Sequence, residues 1–377
     1  MSSHVQTYSN VEVVHQDSNY FKKNFEIVSQ IGQGNFGKVY TVFVGNNKTN
    51  YKVMKRMLFK KQNENGEWKH VHEQIKYEGK ILNYFNEHNS SPFIMKSDEI
   101  FTYNQLTSED RSIRYMVSIS EFIDGISLDK IIYSDSEIND KKIRYIVAQL
   151  LSGIRHLTSI NVVHFDIKPA NIMLDYNYRL KIIDFGTARV VDFHEPKDIP
   201  MGTTVYNTKT MNHISWITYN YDKDPTNEEF KSAFDMMVKT YKLDYNFFYY
   251  DIWCAGCVLF ELYHRKMLME YFPRPKEVQT EVVVEYETED GKTEERTEIQ
   301  TGIVAEHDQV ANVEYILQHI DEQFEDEDYT NFFKKLMLKE EDYKNEKIVL
   351  NYIDDTLLND SFIKDYVTAV KEINNIE

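Results

Sequence analysis

Two neighbouring stretches, VVHFDIKPANIML at residues 162–174 and LKIIDFGTA at residues 180–188, are the most informative part of this chain. The first contains an aspartate that can accept a proton, Asp166, and a lysine two positions later, Lys168. Asn171 and Asp184 add side-chain oxygens of the kind that magnesium prefers. Each residue alone could instead be a helix cap, a turn residue or the end of a strand. Their joint occurrence at this spacing is improbable by chance and indicates a catalytic site.

A third stretch, IGQGNFGKVY at residues 31–40, lies between two predicted strands. Its glycines would let backbone N–H groups approach phosphate oxygens without obstruction from side chains. A plain glycine-rich hairpin is the alternative interpretation. The related dinucleotide-binding fingerprint requires a helix directly after the glycines, whereas a strand-like run follows here.

Hydrophobic periodicity divides the chain into two units. Short strand-like runs and one helical run, VHEQIKYEGKILNYFNEH at residues 71–88, predict a small, mostly antiparallel unit of five strands and one helix. After Gly125 long amphipathic stretches predominate, of which KKIRYIVAQLLSGIRHLTSI at residues 141–160 is the clearest. The fold class is therefore predicted to be α+β, with a second unit that is mainly helical.

Taken in order, these motifs resemble those of eukaryotic-type protein kinases. The resemblance covers residues 25–272 and extends more faintly to about residue 366. It implies a two-lobed fold, with a small antiparallel N-lobe and a larger helical C-lobe that carries an acidic hairpin insertion. KPAN at residues 168–171 resembles the serine/threonine class. The position of the acidic insertion adds a faint similarity to cyclin-dependent and splicing-factor kinases.

The resemblance also implies a role for each motif residue. Asp166 would be the catalytic base and Lys168 would neutralise the transferring phosphoryl group, while Lys55, paired with Glu78, would hold the ATP phosphates. Asn171 and Asp184 would bind Mg²⁺. The remaining nucleotide contacts, to phosphate, adenine or ribose, would come from Ile31, Gly32, Gly34, Gly37, Val39, Val53, Glu121, Ile123, Ser127 and Met173. Thr203 would bridge Asp166 and Lys168, and Asp251 would brace the catalytic loop.

The implied organisation places a loose extension first, then the two lobes joined by a hinge, then a tail. Its segments are 1–24 (extension), 25–120 (N-lobe), 121–125 (hinge), 126–366 (C-lobe) and 367–377 (tail). Two insertions are expected within the C-lobe, at about 212–243 and 277–305.

The sequence departs from the kinase pattern at three places. Phe165 stands where many regulated kinases have an arginine that receives an activating phosphate, so we expect activity that needs no phosphate docked there. Thr208, Lys209 and Thr210 replace the usual Ala-Pro-Glu, and no arginine follows Arg296, so both partners of the ordinary ion pair are absent. Ser120, before the hinge, is small enough to admit enlarged ATP analogues.

Net charge is −18, but it is concentrated in one segment. Residues 277–328 hold 18 acidic and two basic side chains, which leaves the remainder at −2. This segment could attract a basic protein partner, although a solvated hairpin is the simpler interpretation. The charge argues against nucleic acid or an anionic membrane as a partner.

The absence of a signal peptide or a long apolar run predicts an intracellular protein. Cys254 and Cys257 lie in an apolar helix-like run, where core packing is a better explanation than a metal or redox site. Two alternatives to a protein kinase stay open at this point: a catalytically weak scaffold that binds nucleotide and partner proteins, and a small-molecule kinase on the same fold.

Overall fold

The structure is a computed structural model. It describes residues 13–34, 37–45, 48–63, 67–70, 74–88, 91–106, 112–135, 137–191, 202–244, 247–271, 277–287, 293–303, 316–317, 320–321, 324–337 and 346–374. Within these ranges no helix combines the length and the apolar character needed to cross a membrane.

The first lobe is built on a seven-stranded sheet with the order β1-β6-β7-β4-β3-β2, with β5 paired to β4. Its strands are β1 (Val14–Gln16), β2 (Phe25–Gln33), β3 (Gly37–Val44), β4 (Tyr51–Gln62), β5 (Trp68–His70), β6 (Ser97–Leu106) and β7 (Ser112–Glu121). All pairs are antiparallel except β1 with β6. The predicted two-lobed α+β fold is confirmed, with two short strands added to the five that the sequence predicted.

The segment before Phe25 differs from the loose extension predicted for residues 1–24. Its described part forms β1 and helix α1 (Ser18–Asn24), which Asp17 caps by accepting from the N–H groups of Asn19 and Tyr20. Aromatic side chains of α1 pack on the sheet: Tyr20 contacts Phe101 edge to face, with ring centroids 5.3 Å apart. This order was missed because α1 has no buried residue and packs on β6, about 80 positions away, as well as on the adjacent β2.

Helix α2 (Gln74–His88) lies against this sheet and against the second lobe. Its apolar residues Ile75, Ile81, Leu82, Tyr84 and Phe85 are buried at helical spacing, which fixes the face that it presents. The Tyr84 hydroxyl donates to the Ile160 carbonyl oxygen at 3.1 Å and so ties α2 to the second lobe.

The second lobe is mainly helical. Its helices are α3 (Leu128–Ile132), α4 (Asp140–Ser159), α5 (Lys209–Lys223), α6 (Glu228–Asp244), α7 (Phe248–His264), α8 (Leu268–Tyr271), α9 (Glu327–Leu336), α10 (Glu346–Tyr352) and α11 (Lys364–Asn374). Helix α4 is amphipathic and begins after Asn139, whose side chain accepts from the N–H of Lys142. Helix α7 is apolar on all sides and is buried along most of its length, so it forms the centre of this lobe.

Short strands on the cleft side of this lobe carry the catalytic motifs. They are β8 (Gly125–Ser127), β9 (Val162–Val163), β10 (Ile172–Asp175), β11 (Leu180–Ile182) and β12 (Arg189–Val190). Strand β10 pairs with both β11 and β8, and β9 pairs with β12. The two motif stretches therefore fold back on each other through backbone hydrogen bonds.

The predicted insertions have regular structure where they are described. Helices α5 and α6 pack against each other and contain most of residues 212–243. Strands β13 (Glu277–Glu287) and β14 (Thr293–Ile303) form a two-stranded antiparallel ribbon, as the sequence predicted. The Asp290–Gly291 turn predicted for this ribbon falls outside the described residues.

The chain end also differs from the division proposed from the sequence. Helix α11 begins at Lys364 and crosses the predicted boundary between C-lobe and tail at residue 367. Val367 and Val370 are buried, and α11 contacts α4. The second lobe therefore continues to at least Val370, because these two apolar side chains belong to its core.

Candidate active site

The glycine-rich stretch includes the end of β2 and the start of β3, and its residues 35 and 36 fall outside the described residues. The N–H of Gly34 donates to the Gly37 carbonyl oxygen at 2.9 Å. A Cβ atom at Gly37 would lie 2.3 Å from the Arg56 carbonyl oxygen, so packing against β4 requires glycine there. A Cβ atom at Gly34 would have no neighbour within 4 Å, so packing against the described residues does not require glycine there.

Strand register aligns predicted nucleotide-contacting residues across the sheet. Gly32 is paired with Val39, and Val39 with Lys55. Two positions before Lys55, Val53 is paired with Ser120 on β7. Side chains on alternate positions of β4 share one face, so Val53 and Lys55 face the same side of the sheet.

A lysine and two carboxylates meet between the lobes. Lys55 Nζ lies 2.8 Å from Glu78 Oε1, 2.9 Å from Glu78 Oε2 and 2.8 Å from Asp184 Oδ1. Burial alone would lower the pKa of Lys55, but the two carboxylates outweigh it and raise that pKa, which keeps the ammonium charged. Although burial opposes it, Lys55 holds the pKa of Asp184 below its usual range. Burial raises the pKa of Glu78, and Lys55 partly offsets this.

The catalytic-loop residues form a second group of contacts. Asp166 Oδ2 lies 2.8 Å from Lys168 Nζ and accepts a hydrogen bond from Asn171 Nδ2 at 2.8 Å. Asp166 Oδ1 accepts from the Thr203 hydroxyl at 2.6 Å and from the Thr203 N–H at 3.1 Å. Lys168 Nζ also donates to Thr203 Oγ1 at 2.7 Å, which is the bridge expected from the sequence. All four side chains are thus held in one hydrogen-bonded network.

Asp251 on α7 holds the backbone of the loop that contains Asp166, called the catalytic loop below. Its carboxylate accepts from the N–H of His164 at 2.7 Å and from the N–H of Phe165 at 3.1 Å. Burial raises the pKa of Asp251 to about 7, and these two hydrogen bonds oppose the rise. Phe165 has a positive φ of 61°, a strained conformation for a residue with a side chain, and the two bonds help to hold it.

His164 connects the loop to the segment that carries Asp184. Burial lowers the pKa of His164, so its ring is neutral near neutral pH. The Asp166 N–H donates to Nδ1 at 3.2 Å, so we assign the ring proton to Nε2, which donates to the Ile183 carbonyl oxygen at 3.1 Å. The next residue, Asp184, has φ of 61°, and Phe185 is buried against Phe85 of α2 with centroids 4.7 Å apart.

Predicted adenine and ribose contacts lie on both sides of the cleft. Glu121 ends β7 and Ser127 ends β8, so Ile123 lies in the connection between the lobes. Ser127 is paired with Met173 on β10, and Ile31 on β2 is 55% exposed. The Glu121 carboxylate accepts from Lys181 Nζ at 2.8 Å and from the N–H of Lys96 at 2.7 Å, and the Glu121 N–H donates to the Lys96 carbonyl oxygen at 3.0 Å. Its side chain and its N–H are therefore both committed within the protein.

Hydrogen bonds to α7 hold the segment that follows Thr203, and the sequence did not predict them. The Tyr206 hydroxyl donates to the buried Glu261 carboxylate on α7, and Tyr133 donates to the same carboxylate at 2.7 Å. Trp253 Nε1 donates to the Tyr206 carbonyl oxygen at 3.0 Å. Burial raises the pKa of Glu261, which the two tyrosine hydrogen bonds counteract. No basic side chain among the described residues forms an ion pair with Glu261.

Thr208, the first residue at the position of the usual Ala-Pro-Glu, has a structural role. It is buried, and its hydroxyl accepts from the N–H of Met211 and so caps α5. The end of this segment therefore lacks the usual ion pair. It is held instead by the tyrosine hydroxyls that donate to the buried Glu261 carboxylate and by the Thr208 cap of α5. A tyrosine three positions after Thr203 and a glutamate ten positions after Asp251 are the only sequence signals for this arrangement.

Comparisons with known proteins agree with this geometry. Residues 25–210 match the family model described as the protein kinase domain. The chain is 26% identical to the sporulation-specific mitogen-activated protein kinase SMK1 of Saccharomyces cerevisiae, over 64% of this chain and 54% of that protein. It is 28% identical to extracellular signal-regulated kinase 1 of Dictyostelium discoideum, over 66% of this chain and 39% of that protein.

A third relative is the "Probable serine/threonine-protein kinase MRK1 homolog" of Encephalitozoon cuniculi, 27% identical over 64% of this chain and 60% of that protein. The chain thus spans about two fifths to three fifths of the length of these relatives. The kinase-domain match includes both motif stretches and the segment that ends at Thr210. Residues 25–210 are therefore a protein kinase domain, similar to those of eukaryotic serine/threonine kinases.

Proposed function

We propose that this protein transfers the γ-phosphoryl group of ATP, with Mg²⁺, to serine or threonine hydroxyls of protein substrates. One observation carries the proposal: Lys55, Glu78 and Asp184 form one connected group while Asp166, Lys168, Asn171 and Thr203 form another. Both groups are in place together, and phosphoryl transfer depends mainly on positioned charge.

The chemistry of the side chains fits a magnesium nucleotide. Asp184 provides carboxylate oxygens, and Asn171 donates its NH₂ group to Asp166, which leaves its amide oxygen for a cation. No cluster of three or more His, Cys, Asp or Glu side chains suited to a metal occurs in the described ranges. This agrees with an ion whose other ligands come from phosphate and water. Bound Mg²⁺ would neutralise phosphate charge.

The chain's own residues have distinct tasks in this proposal. Lys55 holds phosphate oxygens by charge, and Glu78 fixes its position. Asp166 orients the acceptor hydroxyl and accepts its proton, and Lys168 supplies positive charge beside it. Thr203 holds both through its hydroxyl, so the acceptor residue is presented by the same segment that positions the base.

Serine/threonine specificity rests on Lys168 and on its contact with Thr203, which resemble that class. The same proposal includes protein substrates, an intracellular site of action and a basic protein partner for residues 277–328. The relatives' names support a kinase that acts on proteins, since they include mitogen-activated protein kinases.

The competing proposal is a nucleotide-binding scaffold with little catalysis. It is favoured by the altered segment end at Thr208 and by the insertions. The complete set of charged residues argues against it, because a scaffold has no need of the Asp166–Lys168–Thr203 network.

The deciding experiment is transfer of radiolabelled phosphate from ATP to the protein itself and to a peptide library. We expect transfer by the wild type and at least a hundredfold loss in Asp166→Asn and Asp184→Asn. Asp354→Asn is the matched control, because it changes an aspartate of the second lobe that pairs with Arg155 on α4. Transfer that survives both site substitutions would refute the site. Nucleotide binding without transfer by the wild type would favour the scaffold.

A further inference from the structure

A buried arginine lies beside the helix that carries Glu78. Arg189, on β12, is 6% exposed, and its guanidinium carbon lies 4.1 Å from the ring centroid of Tyr77 on α2. Tyr77 directly precedes Glu78, the partner of Lys55. Lys76 Nζ lies farther from the same ring, at 5.5 Å. The Arg189 distance is typical of a cation–π contact, and burial strengthens such a contact.

The contact acts at one end of α2. Phe85 and Tyr84 connect the other end to Phe185 and to Ile160. About two helical turns separate Tyr77 from Tyr84, so the N-terminal half of the helix is held by other contacts: the buried Ile75, the close packing of Gly79 on Met116 and the Arg189 contact. Because Glu78 lies in that half, its distance from Lys55 depends on what holds the helix near Tyr77.

Arg189 itself is fixed to the catalytic loop. It pairs with Val163 of β9, one residue before His164, and the N–H of Val191 donates to the Asn161 carbonyl oxygen at 2.8 Å. Movement of α2 would therefore have to break a contact with β12, which pairs with β9, the strand that leads into the loop containing Asp166.

The place where a phosphate would ordinarily make this connection is apolar. Phe165 is 1% exposed and packs against Phe247 and Tyr250, with ring centroids 5.9 Å and 5.8 Å away. An aromatic cluster of this kind offers no charge-assisted hydrogen bond to a phosphate.

We infer that the Arg189–Tyr77 stack is a positioning contact that keeps Glu78 on Lys55 and couples α2 to the catalytic loop without a phosphate. The inference rests on the proposed kinase activity for its kinetic consequences. Its structural content, a fixed N-terminal half of α2, can be measured independently.

The test uses four substitutions in the full chain after phosphatase treatment. Arg189→Met and Tyr77→Leu remove the charge or the ring but keep side-chain size approximately. Arg189→Lys and Tyr77→Phe keep a cation and a ring. We expect the first two to lower kcat for a peptide about tenfold, the scale of a desolvated cation–π contact, and the second two to change it less than threefold.

Two measurements distinguish a positioning role from simple packing: the energetic coupling between Arg189 and Tyr77, and the local stability of α2. The double variant Arg189→Met/Tyr77→Leu should be no worse than either single variant, because both remove the same contact. Hydrogen exchange at the amides of Lys76 to Gly79 should accelerate about tenfold in the first two variants. Arg144→Met is the control, since Arg144 lies 4.0 Å from the Phe362 ring in the second lobe and should leave both measurements unchanged.

Additive losses in the double variant, or unchanged exchange in α2, would overturn the inference. A requirement for phosphorylation to restore kcat in the wild type would also overturn it. A wild type that transfers no phosphate would instead refute the proposed function, while the exchange experiment would still decide whether Arg189 and Tyr77 are coupled.

Discussion

Thr203 contacts Asp166 twice, because its hydroxyl and its backbone N–H both donate to the same carboxylate oxygen, Oδ1. The other oxygen, Oδ2, faces Lys168 and Asn171. One oxygen of the proposed base is thus held by the segment that would present the substrate, and the other by the catalytic loop. A displaced segment would leave the base incompletely oriented.

Thr203→Ala should therefore lower kcat about tenfold to a hundredfold, since it removes the hydroxyl that joins Asp166 to Lys168. Thr203→Ser keeps that hydroxyl and should stay within about fivefold of the wild type. Steady-state kinetics with a peptide substrate would measure both. Equal losses in the two variants would show that the methyl group, and not the hydroxyl, is what matters.

Tyr206→Phe should destabilise the protein by about 1 to 3 kcal/mol, because it removes a donor from the buried Glu261 carboxylate. It should also raise the KM for peptide, since Tyr206 lies in the segment after Thr203. Tyr133→Phe is the matched control: it removes the other donor to Glu261 but lies on the connection after α3. Urea unfolding should show similar losses for both variants, whereas only Tyr206→Phe should change peptide kinetics.

Phosphatase treatment should leave the activity of the wild type within about twofold of the untreated protein, because Phe165 and its aromatic neighbours replace a phosphate-binding arginine. Phe165→Arg should not create phosphate dependence. It should lower the free energy of unfolding by about 3 kcal/mol or more, since it buries an unpaired charge. Activity assays and urea unfolding on the same samples would test both expectations.

Ser120 should allow binding of ATP analogues enlarged on the adenine ring. The residue is 5% exposed on β7 and pairs with Val53, beside the proposed adenine position. Ser120→Met should weaken the enlarged analogue at least tenfold and change ATP affinity less than threefold, whereas Ser120→Ala should bind both as the wild type does. Competition binding would measure these affinities. Failure of the wild type to bind the enlarged analogue, while it binds ATP, would contradict the assignment of Ser120.

His264 should make stability depend on pH. Burial lowers its pKa from 6.5 to about 4, so the folded protein keeps the ring neutral while the unfolded chain becomes protonated below pH 6.5. The neutral His264 ring therefore costs no stability above pH 6.5. The folded protein loses stability as the pH falls from 6.5 toward 4, because only the unfolded chain binds the proton in that range. His264→Phe should reduce that loss by about 1 to 2 kcal/mol, allowing for the partial exposure of the ring. Urea unfolding at pH 4.5 and pH 7.5 would measure the difference between the two proteins.

The candidate site could be located from sequence because its chemistry demands particular residues at particular spacings. Asp166, Lys168 and Asn171 lie within six residues, so local backbone geometry alone brings them near one another. The pairing of Lys55 with Glu78 required knowledge of the family, since 23 residues separate them.

The contacts that the sequence did not predict join residues of ordinary type over long separations. Tyr206 and Glu261 are 55 residues apart, and Arg189 is more than 100 residues from Tyr77. A buried glutamate or a stacked arginine has no local pattern that distinguishes it from a surface residue. The order of α1 and α11 was missed for a related reason: each is held by its fit to a distant element.

Strand β1 covers part of one edge of the first-lobe sheet. Its three residues pair with Phe101, Thr102 and Tyr103 in the middle of the ten-residue β6, which would otherwise be the outer strand of the sheet. An open strand of this length offers unpaired N–H and C=O groups to another molecule. A protein shortened to begin at Ser18 would expose that edge, and we expect it to aggregate on storage or heating before its active site is lost.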